Sequence, residues 1–533
     1  MKPYQKFDGL AIGKMDSYLS SHGMEKSYRT YRPQKSFGDI SFDFQRTSLK
    51  FDQKEIESLS DDYFTFSAVG KFVNVSFNDQ QFSRTSLENG MSGELFLFDR
   101  KNERILVEHT SANPTGPLHI GRVRNSVIGD TLSRILAKYG YNVTTEYYVN
   151  DIGTQVEALL LGTELFGSEN YTESYRKVYE NFDKYKEKVE EYMVRAESGD
   201  SNFLKDSTAR LRVFLKDVLV DLERLSIKFD FFIWESEFIL NGAVRDVIVK
   251  LTPLLKDDNG AKYLESKDGK MYLLRSNGTS VYFTRDIAHH LKKSAEFDYA
   301  INVLGEDHKA YHKKILFAMD ILKVKNVGGV VFYSYITTKE GKMSTRKGNV
   351  VYTRDLIDEA IEIAKGEINK RRTDLTEEEI REISNKVGVA AVRYNIVKFS
   401  PDKPITFDWD EALNFDGDAA PFVMYSYARA RSILSKLSAK SEIVWKFNEA
   451  ESKFLREISR YPEVVEDAVK HSRPDKIARY SYELAGAFNQ FYRDCPVLDS
   501  GENLQKRVEI VKVFSKTMEE LFQMLGIQAS DKI

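Results

Sequence analysis

"SANPTGPLHIGR", residues 111–122, separates a short β-branched run from a long amphipathic one. The run before it, "RILVEHT" (104–110), has the length and residue types of a buried strand. After it, Ile120, Val123, Val127, Ile128, Leu132, Ile135 and Leu136 recur at helical spacing, and Gly140 is placed to stop that helix. "YNVTTEYYVND" (141–151) then reads as a second strand. Strand, helix and strand within roughly 50 residues make a βαβ unit, and hence a parallel sheet. Ligands of such sheets collect at the carboxyl ends of the strands, where a helix start offers free N–H groups and a positive dipole end. Pro117 suits the first helical turn, Gly121 lets a flat base or a phosphate approach the backbone, and His119 can donate to a phosphate oxygen. The turn has the makings of a nucleotide site. Taken alone it also fits a solvated histidine on an ordinary Pro/Gly loop.

Outward from the turn, residues 1–100 mix short β-rich pieces such as "FTFSAVGKFVNVSF" (64–77) with polar stretches, as a small α+β domain would. Residues 155–228 are highly charged and helical, the pattern of a solvated insertion. Strand-like pieces return at 229–235, 270–283, 299–304 and 328–336, so the sheet resumes. From about 355 onward, long amphipathic helices predict a separate bundle. The expected division is an N-terminal add-on domain (1–100), a Rossmann-type catalytic domain (101–355) with an insertion at 156–270, a connecting region (356–400) and an all-α domain (401–533).

A chain of 533 residues exceeds a single core. No apolar run reaches the ~18 residues that span a bilayer, and "MKPYQKFDGL" lacks the apolar segment of a secretory signal. The single cysteine, Cys495, excludes internal disulfides and thiolate zinc sites. These features predict a cytoplasmic protein. A net charge of −3 neither advertises nor excludes nucleic-acid binding, which depends on local patches. "GLAIGKM" (9–15) has the Gly-Lys of a phosphate loop without its spacing. His308 and His312 lie four apart, a metal-binding spacing, but no supporting glutamate motif accompanies them, and no metal site is expected.

The other unusual stretch is "EGKMSTRKGNVV" (340–351), with Lys342, Arg346 and Lys347 between Gly341 and Gly348. Such a loop can hold polyphosphate and stabilise a departing pyrophosphate. "PLHIGR" followed much later by "KMSTR" resembles the two hallmarks of class I aminoacyl-tRNA synthetases, usually written HIGH and KMSKS. "SANPTGPLHIG", "YYVNDIGTQ" (147–155), "VYFTRDIA" (281–288), "MSTRKGNVV" (343–351) and "APFVMYSYARARSIL" (420–434), in that order, resemble the arginyl-tRNA synthetase family over essentially the whole chain. Two departures stand out: Arg122 replaces the second histidine of HIGH, and Thr345 replaces the second lysine of KMSKS. Arg346 or Lys347, assisted by Lys342, would take over that lysine's role.

The resemblance implies ATP-dependent activation of L-arginine and transfer of arginyl to the 3′ end of tRNA(Arg), with activation requiring bound tRNA. It implies ATP contacts from Pro114, Thr115, Gly116, Pro117, Leu118, His119, Gly121, Met343 and Ser344, with Arg122, Lys342, Arg346 and Lys347 as further catalytic groups. It places L-arginine against Glu108, Asn113, Tyr282, Asp286 and His308. A guanidinium pairs best with carboxylates, and a buried strand-end Glu108 without a cation would be costly. Tyr282 and Asp286, four apart, share a helical face. Mg2+ is implied with ATP, and a monomer is the family's usual state. For tRNA, the implied contacts are Asn74 and Phe77 near the N-terminus and Tyr425, Tyr427, Arg429 and Arg431 in the helical region. Tyr480, Leu484, Phe488 and Phe491 read as core.

Overall fold

The computed structural model describes residues 1–267, 269–338, 352–436 and 442–533. The N-terminal unit packs the helix Pro3–Ser21 on a four-stranded antiparallel sheet of β1 (Arg29–Tyr31), β2 (Ile40–Asp43), β3 (Phe64–Val69) and β4 (Phe72–Phe77), ordered β1-β2-β4-β3. Its core is aromatic: Phe7, Phe42, Phe44, Phe64, Phe66 and Phe82 are essentially inaccessible. "GLAIGKM" lies inside the helix Pro3–Ser21, where no phosphate loop can form.

The turn at 111–122 joins β5 (Arg104–Glu108) to the helix Ile120–Lys138, which leads to β6 (Asn142–Val149). β7 (Phe231–Trp234) follows, then a small antiparallel sheet of β8 (Lys256–Asp258), β9 (Ala261–Ser266) and β10 (Gly269–Leu274), and finally β11 (Tyr299–Gly305) and β12 (Gly329–Tyr333). The main sheet is parallel throughout and ordered β12-β11-β5-β6-β7. Chain order reverses between β5 and β11, so the crevice at their carboxyl ends is the topological switch point. Gly140 ends the βαβ helix with φ 104°, and a Cβ there would sit 2.2 Å from the Asp99 carbonyl oxygen.

Two expectations need correction. The strand expected at 270–283 stops at Leu274, because the chain reverses through Arg275–Thr279 (Arg275 N–H to Thr279 O, 2.9 Å) and Tyr282 opens a helix. The insertion expected at 156–270 encloses β7, an edge strand of the main sheet. The inserted material is therefore split into the helices between Thr154 and Arg224 and the elements between Ala243 and Leu274.

Beyond β13 (Ile336–Thr338), which pairs in parallel with β14 (Ile405–Phe407), the chain is helical. The helices Thr353–Arg371 and Glu377–Val397 lead to a bundle formed by Ala420–Ser435, Glu449–Ser459, Tyr461–His471, Asp475–Asp494 and Leu504–Leu525. Tyr480, Leu484, Phe488 and Phe491 are buried within it. The bundle is less separate than its sequence implies, since one continuous apolar core runs from Val123 and Leu159 through Val387 to Phe488 and Phe514.

Two buried arginines make the junctions. Arg393 donates to Leu525 O (2.8 Å), Leu225 O (2.6 Å) and Asp130 Oδ2 (2.5 Å), joining the first Rossmann helix, the end of the helical insertion and the last helix. Arg124 donates to the carbonyls of Ser334 (2.7 Å), Tyr335 (3.3 Å), Ser400 (3.2 Å) and Lys403 (2.7 Å).

Candidate active site

Past Glu108, the last residue of β5, two non-glycine residues take left-handed backbone conformations, Thr110 (φ 73°) and Ser111 (φ 43°). The chain then runs through Pro114 and Leu118, both buried, and half-buried Thr115, Gly116 and Pro117. Pro117 precedes the helix instead of standing in its first turn, because His119 is the N-cap residue. The His119 side chain makes no capping bond, so the first N–H groups of the helix stay available. A Cβ on Gly121 would lie 3.1 Å from Cε1 and Nδ1 of His119. The group that approaches this glycine is therefore the histidine ring itself. Burial, reinforced by Arg122, pushes the His119 imidazole down to about 4. At neutral pH it is an uncharged donor, and positive potential comes from the helix end and exposed Arg122.

Lys342, Met343, Ser344, Arg346 and Lys347 lie outside the described residues. Tyr352, the first described residue after Thr338, forms an antiparallel bridge with His119, and Thr353 N–H donates to Leu118 O at 2.7 Å.

The acids sit beside this turn. Tyr282, Asp286, His289 and Lys293 repeat at spacings of four, three and four along the helix Tyr282–Glu296. Lys293 Nζ lies 2.7 Å from Glu108 Oε2 and 2.6 Å from Asn302 Oδ1. Glu108 thus has its cationic partner within the chain, and any guanidinium must share it. Asp286 accepts from the Tyr311 hydroxyl at 2.7 Å. Burial raises its carboxyl; the Glu108 charge adds to this, while Tyr311, Lys293 and His308 act against it. Glu108 and His308 thus each act electrostatically on Asp286, His308 from an exposed position. Tyr282 is 59 % exposed, its ring 5.5 Å from that of Tyr311. Asn113 donates to Gln155 Oε1 at 3.2 Å.

Sequence reasoning missed the groups behind the pocket. Glu235 accepts from Arg285 Nε at 2.5 Å, and burial pushes its carboxyl up to about 7. Asp151 holds the next turn by accepting from Ser236 N–H (2.8 Å) and Oγ (2.6 Å). Glu146 Oε1 is 2.5 Å from His289 Nε2, and His289 stacks on Tyr148 at 4.6 Å. The available signal was the polar stripe continuing from Asp286 to His289 and Lys293. Among the described residues the one group spaced for a metal is Glu108, Glu146 and His289. Lys293 holds the first, and the other two hold each other, so this group does not fit Mg2+.

Three expected tRNA contacts are contradicted by burial. Asn74 accepts from Ser41 Oγ at 2.7 Å inside the N-terminal sheet, and Phe77 packs among Phe7, Phe64 and Phe82. In the bundle Tyr427 is also internal, its hydroxyl donating to Glu519 at 3.1 Å. Tyr425 is 41 % exposed with the Arg429 guanidinium 4.8 Å over its ring, and Arg431 pairs with Asp531 (3.1 Å). Tyr425, Arg429 and Arg431 line a cavity of about 1070 Å³ with Arg371, Arg372 and Lys532.

A helical bundle sharing its core with a parallel sheet whose switch point meets a histidine-led helix opening is consistent with a class I aminoacyl-tRNA synthetase. Comparison with known families agrees: "tRNA synthetases class I (R), catalytic domain" matches residues 91–409, and "DALR anticodon binding domain" matches 423–533. Arginine--tRNA ligase of Thermoplasma acidophilum is 38 % identical over 491 residues, covering 90 % of each chain. That of Methanocaldococcus jannaschii is 36 % identical over 496 residues, covering 87 % of this chain and 86 % of its own. The chain belongs to the arginine--tRNA ligase family, and it is an aminoacyl-tRNA synthetase that couples arginine to tRNA at the expense of ATP. In fold it is similar to the arginyl-tRNA synthetase of Thermus thermophilus, with a TM-score of 0.84, 22 % identity, and coverage of 98 % of this chain and 99 % of that one. Among the described residues no helix is long and apolar enough to cross a membrane.

Proposed function

We propose that the turn at 113–121 binds ATP and that Glu108, Asp286, Tyr282 and His308 hold L-arginine beside it. One arginine carboxylate oxygen attacks the α-phosphorus of ATP. The bond to the bridging oxygen breaks, pyrophosphate leaves with its electron pair, and arginyl-adenylate remains. The terminal ribose hydroxyl of tRNA then attacks the arginyl carbonyl carbon, losing its proton as AMP departs. No protein nucleophile is needed; catalysis is positioning plus stabilisation of charge at phosphorus.

Neutral His119 donates one N–H to a phosphate oxygen, and Arg122 and the helix end supply charge. Asp286 and the second oxygen of Glu108 face the guanidinium. Lys342, Ser344, Arg346 and Lys347, with Met343 at the nucleotide, are assigned to the β- and γ-phosphates. The observation that carries this reading is the bridge between His119 and Tyr352, which ties the chain just past the cationic stretch to the helix opening. Mg2+ enters with the nucleotide and has no assigned protein ligand here. Anticodon bases stack on Tyr425 beneath Arg429. The chain works as a cytoplasmic monomer.

The test is charging of a tRNA(Arg) transcript with radiolabelled L-arginine. Asp286→Ala raises the KM for arginine at least tenfold with the KM for tRNA unchanged. Tyr425→Ala does the converse: one lost stacking contact, about 1–3 kcal/mol, raises the tRNA KM roughly tenfold. Unchanged arginine kinetics in Asp286→Ala would remove the pocket assignment.

A further inference from the structure

We propose that Asn125 is a positioning residue for the reaction: its side-chain amide bridges β5 and β11 where they part and holds the left-handed bend that aims the nucleotide turn. The ladder between these strands ends with the pair Glu108 and Asn302. One residue pair further on, the two backbones no longer reach each other. Asn125, 5 % exposed on the first Rossmann helix, fills that gap. Its Oδ1 accepts from Thr110 N–H at 2.8 Å, and its Nδ2 donates to Val303 O at 2.9 Å. One amide therefore stands in for the missing rung, with one bond to Val303 of β11 and one to the chain two residues past the end of β5.

The residue it captures is under strain. Thr110 has φ 73°, a region a β-branched residue resists, and Ser111 follows at 43°. Thr110 is 1 % exposed, and its Oγ1 is engaged by Ser126 Oγ at 2.9 Å and His109 Nδ1 at 2.9 Å. The bend directs the chain from Glu108 into the stretch 112–121. Tyr147 holds that stretch further along by donating to Ala112 O at 2.7 Å. Without Asn125, Thr110 relaxes toward the extended region and the turn loses its aim relative to Glu108. A misplaced turn lowers the rate of adenylate formation and leaves the distant tRNA-binding surface intact.

This inference rests on assigning the 113–121 turn to ATP, and His119→Ala, run alongside, isolates that assumption: its failure to impair exchange refutes the assignment itself. The experiment is arginine-dependent ATP–pyrophosphate exchange with tRNA present, using the full chain. Asn125→Ala is expected to lower kcat/KM for ATP at least tenfold, with tRNA affinity in a filter assay unchanged. Glycine adopts the left-handed region freely, so adding Thr110→Gly to Asn125→Ala should recover at least threefold. Should Asn125→Ala not fold, Asn125→Asp serves, because it keeps the acceptor for Thr110 and loses the donor to Val303; an impairment of at least threefold is expected. The proposal is overturned if the substitution at 125 leaves exchange within twofold of the parent, or if Thr110→Gly restores nothing.

Discussion

Replacing Arg393 by alanine should cost about 4 kcal/mol, and the loss should be one of charge pairing more than of packing. Arg393 is fully buried and satisfies two main-chain carbonyls and Asp130. Removing one member of a buried ion pair typically costs roughly 3–5 kcal/mol, because the abandoned charge stays buried. Asp130 keeps a partial partner in Arg134 (2.8 Å), itself 34 % exposed, which argues for the middle of that range. Burial raises the Asp130 carboxyl, but Arg393 and Arg134 more than offset it and hold it below its usual value. In the parent this contributes stability above the unfolded-state value that is lost as pH falls through the folded one. In Arg393→Ala the sign inverts: the buried carboxylate, left with Arg134 alone, is a penalty at neutral pH, and protonation relieves it. Scanning calorimetry of the full chain should therefore show a deficit that shrinks as pH is lowered from 7.5 toward 5. Arg393→Ala combined with Asp130→Asn should regain more than a third of the loss. If the double variant is no more stable than Arg393→Ala, or the deficit is the same at both pH values, the charge argument is refuted and cavity formation accounts for the loss.

Gly121→Ala should lower kcat/KM for ATP at least tenfold without lowering the melting temperature, because the new Cβ displaces the His119 ring while alanine suits a helix better than glycine. An unimpaired exchange rate would show that the ring's place is immaterial. Lys293→Met removes the cation that holds Glu108 and Asn302 in place and, if that positioning outweighs its competition for Glu108, should raise the KM for arginine at least tenfold, leaving that for ATP within threefold; a lowered KM for arginine, or equal effects on both substrates, would count against it. Because His119 is held near 4, exchange should be flat from pH 6 to 7.5 as far as this group is concerned. A break near 6.5 that disappears in His119→Asn would contradict this.

The strand, turn and helix around 111–122 could be read from the sequence because three local signals agree there: a short apolar run, a Pro/Gly turn and a long 3.6-residue period. The Tyr282 and Asp286 pair was legible for the same reason, since helical spacing fixes a shared face. Lys293 escaped because a lysine on a polar stripe looks solvated until the partner helix and strand cover it. Asn74 and Phe77 misled for the opposite reason. Strand alternation says that Phe77 faces one side of the sheet, but not that the helices Pro3–Ser21 and Asp79–Ser92 will cover that side; Asn74, on the opposite face, is taken up by its cross-strand neighbour Ser41. Glu235 lies in a run, "FDFFIWES", whose apolar neighbours dominate its pattern.

Arg124 has a consequence of a different kind. Among the described residues its hydrogen-bond partners are peptide oxygens, and burial brings its guanidinium down to about 10, still protonated in any cell. Peptide oxygens are present whatever side chain a position carries. Mutation at 334, 335, 400 or 403 therefore has little purchase on this weld, and salt screens it weakly because the acceptors are fixed dipoles. At this joint, one of the two made by a buried arginine, the specification is concentrated in one codon, and drift can proceed across the facing loops while the joint endures.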